Sequence, residues 1–300
     1  MHKITPHLWF NTQAKEAAEF YTTVFPDTVI TNITTLSNTP SGDAHLVSFS
    51  IAGQPFMAIS AGPLFKPTPA ISFFVNIDPS KVANAEQEVD RLWGKLIEGG
   101  KPLMEIGAYP FSKRYGWVED KYGVSWQIIL TNPEGDARPY IVPSLMYVGA
   151  VAGRAEEAID FYCSVFTDSV RGITARYPAG MAPDKEGSLM YADFRINDTW
   201  FAAMDSAHDH KFSFTEGVSL IITCDTQEEI NHFSDKLSAD PAAEQCGWVK
   251  DRFGVSWQIS PAVMGEMMQH GTPEQVARVT QAFLPMKRFD IKTLEAAYGA

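Results

Sequence analysis

The residues best placed for chemistry sit in one short pattern that occurs twice. Gly116 to Ile128 reads GWVEDKYGVSWQI and Gly247 to Ile259 reads GWVKDRFGVSWQI, so Gln127 and Gln258 recur in the same β-type run. Side chains alternate across a strand, which puts Ser125, Gln127 and Ile129 on one face and Val124, Trp126 and Ile128 on the other. A buried amide must find partners, and two roles are open to it: holding a ligand or ordered water, or serving the fold alone. Trp126 and Trp257 are expected to pack under helices, and Trp117 and Trp248 to flank tight hairpins closed through Tyr122-Gly123 and Phe253-Gly254. His208 and His210 have a metal-like spacing, but their neighbours Asp205, Asp209 and Lys211 predict a solvated loop. Cys163, Cys224 and Cys246 have no CxxC spacing and are expected to be free thiols, as in a reducing compartment. No Ser-His-Asp or Cys-His order suggests a nucleophilic triad. No GxGxG turn offers a nucleotide or adenosyl cofactor its usual cradle, and Gly99-Gly100 is better explained as a helix C-cap.

The elements that must position these residues form a tandem duplication. AAEFYTTVFPDT from Ala17 matches AIDFYCSVFTDS from Ala158, and Pro6 and Pro143 open the apolar segments before them. Phe20 to Gly123 spans 103 positions and Phe161 to Gly254 spans 93, so copy two lacks about ten residues, expected between Leu237 and Gly247. Ala17, Phe20, Tyr21, Val24 and Phe25 have helical spacing, repeated at Ala158, Phe161, Tyr162, Val165 and Phe166. A second helix is expected in each copy. Asp78-Pro79 would start one before Val82, Val89, Leu92 and Leu96, and an Asp225/Glu228 box the other before Ile230, Phe233 and Leu237. Strands are expected at 7–10, 29–36, 45–51, 56–60, 71–77 and 124–130, then at 145–148, 189–196, 200–204, 218–223 and 255–260. Thr272, Pro273 and Gln275 predict a further helix, with Val276, Val279 and Phe283 covering a domain surface. The fold class is α+β, with domains at 1–135 and 140–262 and a helical tail at 263–300.

With 300 residues, two cores are the better expectation than one. The net charge of -12 leaves no basic surface for nucleic acid or an anionic membrane. Neither a signal peptide nor an eighteen-residue apolar run is present, and a cytoplasmic location is expected.

The opening PHLWFNTQAKEAAEFYTTVFPDT, the middle IAGQPFMAISAGP, the closing GWVEDKYGVSWQI and the tail VARVTQAFLPMKRFDIKTLEAAY together resemble the vicinal oxygen chelate (glyoxalase and bleomycin-resistance) superfamily. The similarity is to its PhnB-like branch, often labelled 3-demethylubiquinone-9 3-methyltransferase. The resemblance implies pairs of βαβββ modules, each pair forming a cupped eight-stranded sheet with outer helices. It also implies metal ligands facing in from the first and last strands of catalytic members. The metal-binding glutamate would fall on Gln127 and Gln258, the first ligand near His7 and Ser144, and further positions on Ser72 and Ser219 and on Ser60 and Asp205. An amide is a weak substitute for a carboxylate on a divalent ion, so no metal site is expected beyond a weak shared pair, His7 and Asp205. For His7 a satisfied core histidine is a simpler account than a general base. Met181, Met190 and Met204 with Trp200 and Phe201 would line copy two with adaptable apolar side chains.

The expected function is small-molecule binding with the metal site largely lost, cofactor and ligand unknown. The alternative is an enzyme, either a metal-dependent lyase or dioxygenase or a methyltransferase as the label says. The two copies would form a pseudo-dimer within the chain, with a further homodimer through the tail left open.

Overall fold

The computed structural model describes residues 4–39 and 42–300. Four modules follow one another. The first is β1 (Thr5–Phe10), α1 (Ala14–Val24), β2 (Thr28–Thr39), β3 (Gly42–Ile51) and β4 (Gln54–Ser60). The second is β5 (Ile71–Ile77), α2 (Ala85–Leu96), β6 (Lys101–Tyr109), β7 (Ser112–Glu119) and β8 (Ser125–Leu130). The third is β9 (Ile141–Tyr147), α3 (Ala155–Val165), β10 (Ser169–Arg176), β11 (Leu189–Ile196) and β12 (Thr199–Asp205). The fourth is β13 (Val218–Cys224), α4 (Gln227–Leu237), β14 (Trp248–Lys250) and β15 (Ser256–Pro261), and the tail is α5 (Ala262–His270), α6 (Pro273–Phe283) and α7 (Ile291–Gly299).

The repeat and the folding unit divide the chain differently. One sheet runs β14-β15-β13-β1-β4-β3-β2, joining modules one and four; the other runs β10-β11-β12-β9-β5-β8-β7-β6, joining modules two and three. Two compact units follow: Met1–Glu19, Val29–Lys66 and Thr215–Ala300 in one, Phe20–Thr28 and Pro67–Phe214 in the other. In the second, β5 pairs antiparallel with β9, and the Asn76 amide donates to the Tyr140 carbonyl at 2.8 Å. Among the described residues no helix is long and apolar enough to cross a membrane.

Where expectations differ from the structure, a local cause is visible. β10 is an edge strand exposed at almost every position, so it has no alternating apolar pattern to reveal it. Repeated register shifts against β7 break the period of β6 in the same way. Asp78 does not start a helix: its Oδ1 accepts from the Ser80 amide and hydroxyl, making a separate turn that leaves Val82 outside α2. The capping box of α4 is Thr226 with Glu229, one residue beyond the expected pair. The tail box at Thr272 and Gln275 forms as expected.

The ten-residue loss in copy two is the loss of a strand. A short 3-10 turn at Pro241–Ala243 replaces the counterpart of β6, which makes this sheet seven-stranded instead of eight. The tail supplies the missing hydrogen-bond partners, because the amides of Cys246 and Gly247 donate to the carbonyls of Met286 (2.7 Å) and Lys287 (2.9 Å). Gly247 has φ +77, and a Cβ there would come within 2.5 Å of the Phe289 ring, so only glycine fits. Met267, Val276, Val279, Phe283, Phe289 and Leu294 of the tail form one buried cluster, with Trp9 and Ile59 of the sheet packed against it.

The repeated pattern folds around a buried aspartate. Asp120 Oδ1 accepts from the amides of Tyr122 (2.8 Å) and Val124 (3.0 Å), fixing a turn in which Gly123 takes φ +85. Its Oδ2 accepts from the Trp126 indole (2.9 Å) and the Tyr21 hydroxyl (2.8 Å). Trp126 packs against Tyr21, Phe25 and Phe73, as its place opposite Gln127 predicts. Asp251 repeats the arrangement with Phe253, Val255 and Trp257.

Burial pushes the Asp120 carboxyl up to about 6, although four hydrogen bonds oppose the shift. The folded chain therefore holds this proton more tightly than the unfolded chain. The resulting stabilisation is full below the unfolded value near 4 and is lost as pH rises through 6. Urea unfolding of wild type and Asp120→Asn should show the wild-type advantage shrinking by roughly 3 kcal/mol between these limits. An advantage that grows with pH would contradict the assignment.

Candidate functional site

Each sheet has a face opposite its packed helices α2 and α3, or α4, here called the inner face. In the seven-stranded sheet His7 stands opposite Ser219 across β1 and β13, and Gln258 opposite Trp248 across β15 and β14. The Gln258 Nε2 donates to Ser219 Oγ at 2.9 Å, and Ser219 Oγ lies 3.4 Å from His7 Nδ1. If the serine oxygen accepts from the amide, its own proton is directed at Nδ1, which leaves the histidine N–H on Nε2. Burial lowers the His7 pKa to about 3, so the ring is neutral at physiological pH. Trp9, Met57, Ile59 and Trp248, all half-buried, surround this polar row. Among the described residues, neither Gln258 Oε1 nor His7 Nε2 has a protein partner.

The eight-stranded sheet builds the same row and closes it. Gln127 Nε2 donates to Ser72 Oγ at 2.8 Å, while Gln127 Oε1 accepts from the Tyr115 hydroxyl at 2.6 Å. Ser144 stands opposite Ser72, where the first sheet has His7, and its Oγ is buried without a partner. The Trp117 indole donates to Ser125 Oγ at 2.7 Å. Phe74, Tyr115, Trp117, Val142, Met146 and Ala202 fill this inner face with one apolar cluster. Arg138 seals it further, pairing with buried Asp193 at 2.7 Å and lying 3.9 Å from the Trp200 ring centroid.

The nine residues expected at a site therefore separate. His7, Ser219 and Gln258 meet on one sheet, and Ser72, Ser125, Gln127 and Ser144 on the other. Ser60 and Asp205 face the helix side instead. Ser60 Oγ accepts from the Ala14 amide at 3.0 Å, and Asp205 accepts from the amides of Ala155 (3.0 Å) and Leu189 (3.2 Å), so both cap helices. His7 belongs to the seven-stranded sheet and Asp205 to the eight-stranded one, where the amides of Ala155 and Leu189 take up its carboxylate. Met204 and Trp200 join the inner-face cluster, but Met181 and Met190 are exposed and Phe201 stacks on Phe194 on the helix side. Trp117 and Trp248 are inner-face residues, not merely hairpin flanks. His208 and His210 take separate partners, Asp184 and Ser206.

Sequence reasoning missed Tyr115, although comparing copies would have found it. Tyr115 precedes the GWV of copy one, and Cys246 precedes that of copy two. Cys246 cannot reach Gln258 as a phenol would; its Sγ turns to the Leu284 carbonyl at 3.4 Å.

The donors do not suit the groups that the resemblance implies. One neutral imidazole, hydroxyls and amides make a poor divalent-metal set, and among the described residues no three His, Cys, Asp or Glu side chains converge. The N-termini of α1 and α3 are capped by Ser60 and Asp205 and that of α4 by Thr226, so at each of these strand-to-helix turns a side-chain oxygen already accepts a helix-start amide, where an adenosyl cofactor's usual cradle would present bare backbone. A groove of about 330 Å³ between β2 and the tail, lined by Asn32, Thr34, Ser37, Met268, Gln269 and Pro273, contains no titratable side chain. Tyr115→Phe removes the donor to buried Gln127 and should cost roughly 1–3 kcal/mol in urea unfolding. Ser144→Ala should cost nothing; a loss as large as that of Tyr115→Phe would show that its hydroxyl is satisfied.

One protein family, described as 3-demethylubiquinone-9 3-methyltransferase, matches residues 2–129 and again 139–260. A PhnB protein from Bacillus cereus is 39% identical over 43% of this chain and 100% of its own, with a TM-score of 0.39. Protein PA1353 from Pseudomonas aeruginosa is 24% identical over 44% of this chain and 98% of its own, with a TM-score of 0.37. Glyoxalase I from Zea mays is 11% identical and covers 90% of this chain and 98% of its own at a TM-score of 0.54, a likeness of fold. No curated protein matches the chain. With both repeats matched over most of their length, the chain belongs to the 3-demethylubiquinone-9 3-methyltransferase family, on a glyoxalase-like fold.

Proposed function

We propose that the chain binds a small uncharged organic molecule on the inner face of its seven-stranded sheet, against His7, Ser219 and Gln258. One observation carries the reading: the same glutamine is saturated by Tyr115 in one sheet and keeps an open carbonyl in the other. A part-buried acceptor beside an available imidazole N–H, ringed by Trp9, Met57 and Trp248, is the usual make-up of a small-ligand site: apolar walls with a few fixed polar groups. Neutrality of the ligand follows from its surroundings. His7 is uncharged, and Lys250, in register with Ser256, is held by Glu216 at 2.5 Å.

Calorimetric titration with phenol, benzamide and the anionic control benzoate tests this. Saturable binding is expected for the neutral compounds and weaker binding for benzoate. Gln258→Leu should weaken the neutral compounds about tenfold. Because His7 titrates far below neutrality, affinity should stay flat from about pH 5 to 8. Equal affinity in Gln258→Leu, or no saturable binding by either neutral compound, would reject the proposal.

A further inference from the structure

We infer that Trp248 decides what this inner face admits, because it has two berths: the one beside His7, and a second in which its indole N–H donates to Ser256 Oγ. The inference rests on the reading of this face as a binding site. It comes from comparing the two copies of one strand pair. Trp248 stands opposite Gln258, and Trp117 opposite Gln127, with a serine two residues before each glutamine. The strand registers are the same: Ser256 lies opposite Lys250 as Ser125 lies opposite Glu119. Equal backbone geometry should bring the indole to the serine in both.

It does so only once. Trp117 Nε1 donates to Ser125 Oγ at 2.7 Å, whereas Trp248 turns edge-on to His7, with ring centroids 5.6 Å apart and planes at 88°, and lies 6.4 Å from Trp9. Ser256 is 1% exposed, shares the inner face with Gln258, and its Oγ has no partner. The second berth is therefore built and vacant. Its vacancy has a visible cause. The eight-stranded sheet has Ser144 where the seven-stranded sheet has His7, and a serine offers no ring to hold an indole away from its acceptor.

Each berth satisfies one contact and forfeits another, the condition for two states that a ligand can bias. A flat molecule bonded to His7 Nε2 and Gln258 Oε1 takes the space beside the imidazole and displaces the indole. The waiting hydroxyl then accepts the indole N–H, and the displaced ring flanks the newcomer. The class admitted is thus a flat ring bearing a hydrogen-bond acceptor next to a donor, as in a primary aromatic amide. A bulky saturated molecule of the same polarity gains no such flank.

The full chain labelled with 5-fluorotryptophan tests this by fluorine NMR, the Trp248 signal among the seven tryptophans being assigned by its loss in Trp248→Phe. Benzamide should move the Trp248 signal in wild type and in Ser256→Thr, which keeps the hydroxyl. In Ser256→Ala that movement should disappear and benzamide affinity should fall about fivefold. The alanine variant should melt no lower than wild type, since the hydroxyl it removes has no partner. If calorimetry shows benzamide binding while the Trp248 signal stays still, or moves equally in Ser256→Ala, the two-berth assignment is overturned and the binding site stands. If benzamide does not bind at all, the site reading fails, and this inference fails with it.

Discussion

Asp120 and Asp251 each hold a hairpin turn with one carboxylate oxygen and a tryptophan with the other. The orientation of both closing strands follows. With Trp126 or Trp257 pinned to the helix side, alternation leaves Gln127 or Gln258 no direction but inward. A carboxylate is needed because four donors converge on Asp120, and a neutral amide would set its own N–H groups against some of them. The penalty for burying the charge is accepted at the turn so that polar groups on the inner face can be placed without further support.

From this shared frame the copies part through few substitutions. Tyr115 closes the carbonyl of Gln127, but Cys246 is drawn to the tail and leaves Gln258 open. The loss of one strand and the recruitment of the tail are a single event in physical terms. Removing the counterpart of β6 strands the amides of Cys246 and Gly247, and Met286 and Lys287 satisfy them. One inner face became a packed core and the other kept polar groups unspent.

The frame was legible in the sequence because it rests on repeated local patterns. The helix stripes at Tyr21 and Tyr162, the inward parity of Gln127 and Gln258 and the position of the deletion all appear from comparing copies. Pairing between modules was not legible, since apolar strands such as β5 and β9 carry no mark of which partner they prefer. Ser60 and Asp205 were misplaced for a related reason. A side chain at a strand end faces either way, and here the unpaired amides of α1 and α3 claimed them. The states of Trp117 and Trp248 depend on whether a histidine or a serine lies across the sheet, a relation no local pattern records.

His7 and Ser219 meet across 212 positions of sequence, and that separation constrains how the molecule can be made. The eight-stranded sheet has all of its strands once Asp205 has been synthesised. The first module, made before the other three, must wait with the β1 edge unpaired until β13 leaves the ribosome, because β1 lies between β4 and β13 in the finished sheet. Such long-range pairing is slow, and an open apolar edge invites other strands meanwhile. The middle of the chain, modules two and three, is therefore the first to fold completely, and the strands of module one are among the last to find their place.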